Sequence, residues 1–272
     1  MNMKKREVRL SKRLQAVAAM VTKGNVVCDV GCDHGFVPVY LVLNGISPNV
    51  IAMDVNEGPL TAAKGHIREY FLTDYIETRL SDGLTALRAG EADTLICAGM
   101  GGRLVVKILE EGKEKLAGMK ELVLQPQSDL QYVRKYLREK GYAIADENMV
   151  VEDGKYYPMM RVCPERSGKY LLKDGLPESV QNWKEEKEQE DMPGKIRMED
   201  KYGPVLLRKK HPVLRAYLER EAGIYRQILT KLKTNGNGQG TRQQEVMYQL
   251  GDTQAALSYF ESHGNVEHLP FE

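Results

Sequence analysis

Apolar positions along the chain change period several times, and each change predicts an element. Near the N-terminus Leu10, Leu14, Val17 and Val21 recur at helical spacing, and Gly24 stands where such a helix would stop. From there short β-branched runs alternate with amphipathic stretches. Strands are predicted over Val26–Val30, Val50–Met53, Ile76–Leu80, Thr94–Ala98 and Glu121–Gln125. Helices are predicted from near Pro38 to Leu43, from Pro59 to about Tyr70, from Arg103 to Glu111 and from Gln131 to Lys140. Residues 142–151 and 155–162 flank Asp153-Gly154, a hairpin turn signal. A strand–helix series closed by a hairpin predicts an α/β fold on a mainly parallel sheet with one antiparallel edge.

The pattern breaks near Pro164. Residues 165–204 read as irregular, and 184–201 within them are dense in charge of both signs, as an exposed insertion would be. A long helix is then predicted from about Pro212 to Lys233, with Leu214, Leu218, Tyr225 and Leu229 as its apolar stripe. Residues 235–240, Asn-Gly-Asn-Gly-Gln-Gly, read as a flexible connector. A last helix, from about Gln243 to Ser262, carries Val246, Leu250, Leu257 and Phe260. Two amphipathic helices about such a turn predict an antiparallel pair. The expected organisation is an α/β domain over 1–164 and a small helical domain over 165–272.

Chemistry-bearing residues gather at the ends of the predicted strands. The run Val26-Val27-Cys28-Asp29-Val30-Gly31-Cys32-Asp33-His34-Gly35 ends a strand in an acid and follows it with a tight glycine turn. Gly31 and Gly35 leave room for close backbone approach, and the helix N-terminus behind them supplies oriented amides. Asp33 holds the middle position of the usual Gly-x-Gly-x-Gly run. A carboxylate there disfavours the pyrophosphate of NAD and suits a cationic cofactor, which points to S-adenosylmethionine. Asp54 closes the second strand, where an acid accepts hydrogen bonds from ribose hydroxyls. Asp82-Gly83 follows the third strand, placed to accept the adenine amino group. Gly99-Met100-Gly101-Gly102 follows the fourth and lets a ligand lie against bare backbone. Ordinary turns use the same residues, yet all four groups lie at the carboxyl ends of successive strands, where α/β sheets bind ligands. Asp33 and His34 are read as cofactor or substrate contacts, because Asp33 would otherwise put an unpaired charge in a cleft.

Composition narrows the partners. With 42% hydrophobic and 28% charged residues and a net charge of +1, the 272-residue chain is an ordinary globular protein and no polycation. The charge is uneven, however. Residues 1–14 carry six Lys/Arg against Glu7 alone, and residues 208–233 carry eight against Glu219 and Glu221. Lys5, Arg6, Arg9 and Arg13 in the first patch, with Arg208, Lys209, Lys210 and Arg215 in the second, are candidate contacts to an RNA backbone. Solvated helix faces are the alternative. Cys28, Cys32, Cys97 and Cys163 form no metal-ligand pattern, so no metal is expected. No apolar run approaches the roughly 18–20 residues needed to span a bilayer. The expectation is a cytoplasmic protein, with a monomer favoured over an oligomer.

Five motifs taken together carry a resemblance. They are Asp29-Val-Gly-Cys-Asp-His-Gly-Phe-Val-Pro38, Asp54-Val-Asn-Glu-Gly-Pro-Leu60, Ser81-Asp-Gly-Leu84, Ala98-Gly-Met-Gly-Gly102 and Leu124-Gln-Pro126. This set resembles the bacterial tRNA (adenine-22-N1)-methyltransferase family over residues 8 to 163. The helical tail with Tyr202-Gly203-Pro204 is similar to that family's coiled-coil C-terminal domain. Phe36 and Gln127 depart from the Tyr and Asn common there. The resemblance implies a class I, Rossmann-like methyltransferase fold with a small antiparallel coiled-coil domain. It further implies S-adenosylmethionine as donor, N1 of an adenine in the tRNA D-arm as acceptor, and Asp33 as the acid important for activity. Its motifs add Asn56 and Met100 to the candidate cofactor contacts. Because N1 lies on the Watson–Crick edge, a paired target must first be extruded, and Phe36, Tyr40 and Tyr132 are candidate stacking rings. Other readings stay open: a small-molecule or protein methyltransferase, which would not need the basic segments, and a noncatalytic RNA-binding module. An NAD-dependent oxidoreductase is disfavoured by Asp33.

Overall fold

A computed structural model of the chain describes residues 7–164, 192–234 and 240–261. The chain divides into two compact units, Met1–Gln189 and Glu190–Glu272. The boundary expected after residue 164 opens a stretch, 165–191, that lies outside the described residues, as does most of the Gly/Asn connector, 235–239.

The first unit runs α1 (Lys12–Ala19), β1 (Val27–Val30), α2 (Phe36–Leu43), β2 (Val50–Asp54), α3 (Glu57–Glu69), β3 (Ile76–Leu80) and β4 (Thr94–Met100). It continues with α4 (Gly102–Glu111), α5 (Lys113–Leu116), β5 (Glu121–Pro126), α6 (Leu130–Lys140), β6 (Ala143–Glu152) and β7 (Lys155–Cys163). Every residue of β1, β2 and β5 is buried, which is why these strands read as continuous apolar runs rather than alternating ones. The sheet order is β3-β2-β1-β4-β5-β7-β6. Strands β1 to β5 are parallel, and β7 is antiparallel to both its neighbours. The antiparallel strand is therefore inside the sheet and not at the predicted edge. Val162 and Met160 of β7 pair opposite Leu122 and Leu124 of β5, so the second arm of the hairpin takes the open edge and leaves β6 outermost.

Helices cover both faces. Val17 and Ala18 of α1, Val39 and Leu41 of α2, and Leu60, Ala63 and Ile67 of α3 close one core; Val105, Ile108 and Leu109 of α4 with Val133 and Leu137 of α6 close the other. At the amino ends of the strands a polar lock ties the layers together. Buried Glu121 accepts hydrogen bonds from the Thr22 amide and hydroxyl at 2.8 and 2.7 Å and from the Thr94 hydroxyl at 2.8 Å. The carboxyl ends, freed from that task, carry the candidate site.

The second unit comprises α7 (Met192–Tyr202), α8 (Pro204–Arg208), α9 (Pro212–Thr234) and α10 (Thr241–Glu261). Part of the stretch expected to be irregular is thus helical and packed: Met198, Tyr202 and Pro204 are buried, as are Val205 to Leu207 just beyond it. Dense charge hid that apolar minority. Glu221 on α9 accepts hydrogen bonds from the hydroxyls of Tyr202, Tyr217 and Thr253 at 2.6, 2.9 and 3.0 Å. Glu221 and Thr253 are about equally far in sequence from the residues between the two helices, so α9 and α10 pair antiparallel. No helix among the described residues is long and apolar enough to cross a membrane.

Candidate active site

Asp54 is the hub of the crevice. Its carboxylate accepts hydrogen bonds from the amides of Asp33 at 3.1 Å and Asn56 at 2.9 Å, and its carbonyl accepts one from the Ser81 amide at 2.8 Å. The amides of Gly31 and Cys32 both donate to the Met53 carbonyl, at 2.8 and 2.9 Å. These five bonds lash the turns after β1, β2 and β3 to one another. Gly35 has φ of +73°, and a Cβ there would lie 2.9 Å from the Ala63 Cβ, so the start of α2 can touch α3 only through a glycine. Asp33, with φ of +51°, holds left-handed backbone that Asp tolerates better than most residues.

The acids of the site differ in environment. Asp29 is buried, and burial together with the Asp54 charge pushes its carboxyl from 3.8 up to about 7. Asp33 behaves otherwise than expected: its side chain is 71% exposed, with Oδ1 3.5 Å from Nε2 of His34, itself half exposed. The charge that would be costly without a cation is therefore that of Asp29, while Asp33 stands solvated at the mouth. Asp82 is exposed after β3, and exposed Asn56 sits at the N-cap of α3 without using its side chain as a cap. Burial, with the negative charges of Asp29, Asp54 and Asp33, pushes the Cys32 thiol far up, so it is no nucleophile.

The glycine turn after β4 completes the crevice. The β4–β5 ladder shifts register between Ala98 and Met100, and Gly99 in that bulge has φ of +82°. Met100 crosses to the β1 turn, where its Cε would be 2.3 Å from a Cβ on Gly31. A Cβ on Gly102 would lie 2.5 Å from the Ser128 carbonyl oxygen, so α4 is set hard against the turn that follows β5. Beside Gly99 lies Arg13, whose Nη1 donates to Oε1 of fully buried Gln125 at 2.7 Å.

The structure thus brings Asp29, Gly31, Asp33, His34, Asp54 and Asn56 together directly, joins Asp82 and Gly83 through Ser81, and joins Gly99, Met100 and Gly101 through the Met100–Gly31 contact. Of the basic candidates, Lys5 and Arg6 lie outside the described residues, and Arg9 is exposed before α1. Arg208, Lys209, Lys210 and Arg215 belong to the second unit. They are spread over two helices and the turn between them: Arg208 ends α8, Lys209 and Lys210 form the turn, and Arg215 in α9 pairs with Glu219 at 2.9 Å. Sequence reasoning gave Gln125 no role beyond its place in the Leu124-Gln-Pro126 motif, and it missed His66. A glutamine at the end of an apolar strand was the available signal for the first. His66 gave none; it stacks on Phe36 with centroids 4.4 Å apart and its Nδ1 donates to the His34 carbonyl at 2.9 Å. Of the other two candidate rings, Tyr132 is exposed on α6, and Tyr40 packs half-buried against the core. Among the described residues no group of His, Cys, Asp and Glu could hold a metal ion.

A family model for a methyltransferase domain matches residues 10–160. The tRNA (adenine(22)-N(1))-methyltransferase of Bacillus subtilis is 34% identical over 262 residues, covering 95% of this chain and 99% of that protein. The chain belongs to the tRNA (adenine(22)-N(1))-methyltransferase family. Solved members of that family share the fold throughout. The B. subtilis tRNA methyltransferase TrmK is 30% identical with a TM-score of 0.72, covering 92% of this chain and 100% of that one. A Streptococcus pneumoniae protein described as a tRNA (m1A22) methyltransferase, solved in complex with S-adenosyl-L-methionine, is 28% identical with a TM-score of 0.72 and the same coverage.

Proposed function

We propose that this protein transfers a methyl group from S-adenosyl-L-methionine to N1 of adenine 22 in tRNA. The observation that carries the reading is the near full-length likeness to the B. subtilis enzyme, in a chain whose acids meet at one crevice. The donor set fits the cofactor. Asp54, held by two amides, keeps lone pairs for ribose hydroxyls, and Asp82 accepts from the adenine amine. Buried Asp29 favours a cation beside it, and Gly31, Gly83, Gly99 and Gly101 let the ligand lie on backbone, with His34, Asn56 and Met100 around it. The cofactor supplies an electrophilic methyl group on sulfonium sulfur. N1 of adenine brings its own lone pair, so the protein's task is positioning rather than deprotonation. As the N–C bond forms and the S–C electrons pass to sulfur, the adenine becomes cationic. Asp33, solvated at the mouth, accepts a hydrogen bond from the exocyclic amine and favours that charge.

A base paired through N1 must leave its stack first, and the exposed ring of Phe36, stacked on His66, offers it a surface. Arg9, Arg208, Lys209, Lys210 and Arg215, with Lys5 and Arg6, are read as phosphate contacts, and the enzyme as a cytoplasmic monomer. Incubation with unmodified tRNA and cofactor, followed by nucleoside mass spectrometry and primer extension, tests the reading. The expected product is 1-methyladenosine at position 22; methylation of another nucleoside, or of protein alone, would overturn it.

A further inference from the structure

We propose that Arg13 binds an anionic group of the reactants, its guanidinium held ready by Gln125 and Tyr157. The group is a carboxylate or a phosphate: the carboxylate of the cofactor's amino-acid tail, or a phosphate beside the target adenine. This rests on the reading of the crevice as a methyl-transfer site. Nη1 of Arg13 donates to Oε1 of Gln125 at 2.7 Å, and its guanidinium carbon lies 5.6 Å from the centroid of the Tyr157 ring. The same Nη1 would be 3.4 Å from a Cβ on Gly99, so the guanidinium lies against the glycine turn after β4. A neutral amide and a ring face orient the cation without neutralising it. Among the described residues no carboxylate makes an ion pair with Arg13.

Charge across the crevice is polarised. Asp29, Asp33, Asp54 and Asp82 occupy the β1–β3 half; in the β4–β5 half Asp129 pairs with Arg103 at 3.6 Å, and Arg13 is the cation there that no described carboxylate pairs. Asp54 on β2 and Gln125 on β5 are three strand spacings apart, roughly 14 Å at the usual spacing. A ligand with a cation toward the acids and an anion toward Arg13 matches that layout. Anchoring α1 does not need the guanidinium. Val17 and Ala18 are fully buried, Ser11 caps the helix, and the Lys12 amide donates to Glu152 at 2.6 Å.

The test uses the full chain with Arg13→Met, which keeps the aliphatic stem on Tyr157, and Arg13→Lys, which keeps charge but loses the fork. Melting curves establish folding, and Arg13→Lys is read alone if Arg13→Met does not fold. Calorimetry measures S-adenosylhomocysteine and 5′-methylthioadenosine, which lacks the amino-acid tail; steady-state kinetics measure tRNA. Loss of one charge-assisted bond predicts about a 10- to 100-fold effect. Weaker S-adenosylhomocysteine with unchanged methylthioadenosine assigns the carboxylate. Unchanged cofactor affinity with a raised KM for tRNA assigns the phosphate. Affinities and KM all within about twofold of wild type in a folded variant overturn the proposal. Should the wild-type protein fail to methylate tRNA, the proposed function falls, and the S-adenosylhomocysteine arm alone then decides whether Arg13 binds an anion.

Discussion

Asp33 and Asp129 both hold left-handed backbone, and each stands just beyond the carboxyl end of a strand that borders the crevice. Such a conformation costs about 1–3 kcal/mol for most residues and least for Gly, Asn and Asp. Asp33→Asn therefore keeps the turn, its amide bond to Asp54 and its size, while removing the charge. Its melting temperature should match wild type while turnover falls about 100-fold or more, the scale of a lost electrostatic contact to a developing charge. Near wild-type turnover would leave Asp33 as a turn residue. Asp29 should show itself through pH. Its carboxyl is raised to about 7, so the folded protein holds a proton that the unfolded chain releases, and stability falls as pH rises from the ordinary carboxylate value toward 7. Asp29→Asn should melt like wild type near pH ~3.5 and increasingly higher than wild type as pH rises toward ~7, the gap then staying constant to pH ~8, in the absence of cofactor. A cationic ligand favours the ionised form, so cofactor binding near neutrality should release a proton, visible as a binding enthalpy that varies with the buffer. The identity of these acids was legible from the sequence, since all stand at strand ends. Which of them is buried was not, because burial of Asp29 depends on strands on both sides of β1 that are distant in the chain.

Between elements, the Arg134–Glu147 pair joins α6 to β6 at 2.8 Å with both side chains buried. Breaking one partner leaves a charge without its counter-ion in the core, at about 3–5 kcal/mol, whereas an apolar pair of similar volume is near neutral. Chemical denaturation should find Arg134→Met and Glu147→Leu each strongly destabilised and the double variant largely restored. A double variant as unstable as the sum of the singles would show that the two act independently. Periodicity found the strands and most helices because each amphipathic face repeats within a few residues. It could not place β7 between β5 and β6, since pairing is decided by edges made elsewhere. It also missed α7, where buried Met198 and Tyr202 are outnumbered by charge, and α8, whose apolar run Val205 to Leu207 is too short to show a period.

At the scale of the whole molecule, the candidate cofactor contacts and one basic patch belong to different units. Replacing Lys209 and Lys210 together with Ala should weaken tRNA binding and flatten its dependence on log salt by about 0.7–0.9 per lost phosphate contact, with cofactor affinity unchanged. Unaltered tRNA affinity and salt slope would return these residues to ordinary surface charge. Strand order adds a consequence in time and descent. β1 is flanked by β2, made soon after it, and by β4, which arrives only once the chain has crossed back from the β3 edge. On a ribosome the acid-bearing half of the crevice is complete once residue 83 has emerged, while Gly99, Gln125 and Gln127 follow tens of residues later. The turns after β1, β2 and β3 are one early, contiguous stretch of gene, and those after β4 and β5 are a later one. Mutation can therefore vary the later turns while the earlier ones, lashed to one another through Asp54 and Met53, are inherited as a unit.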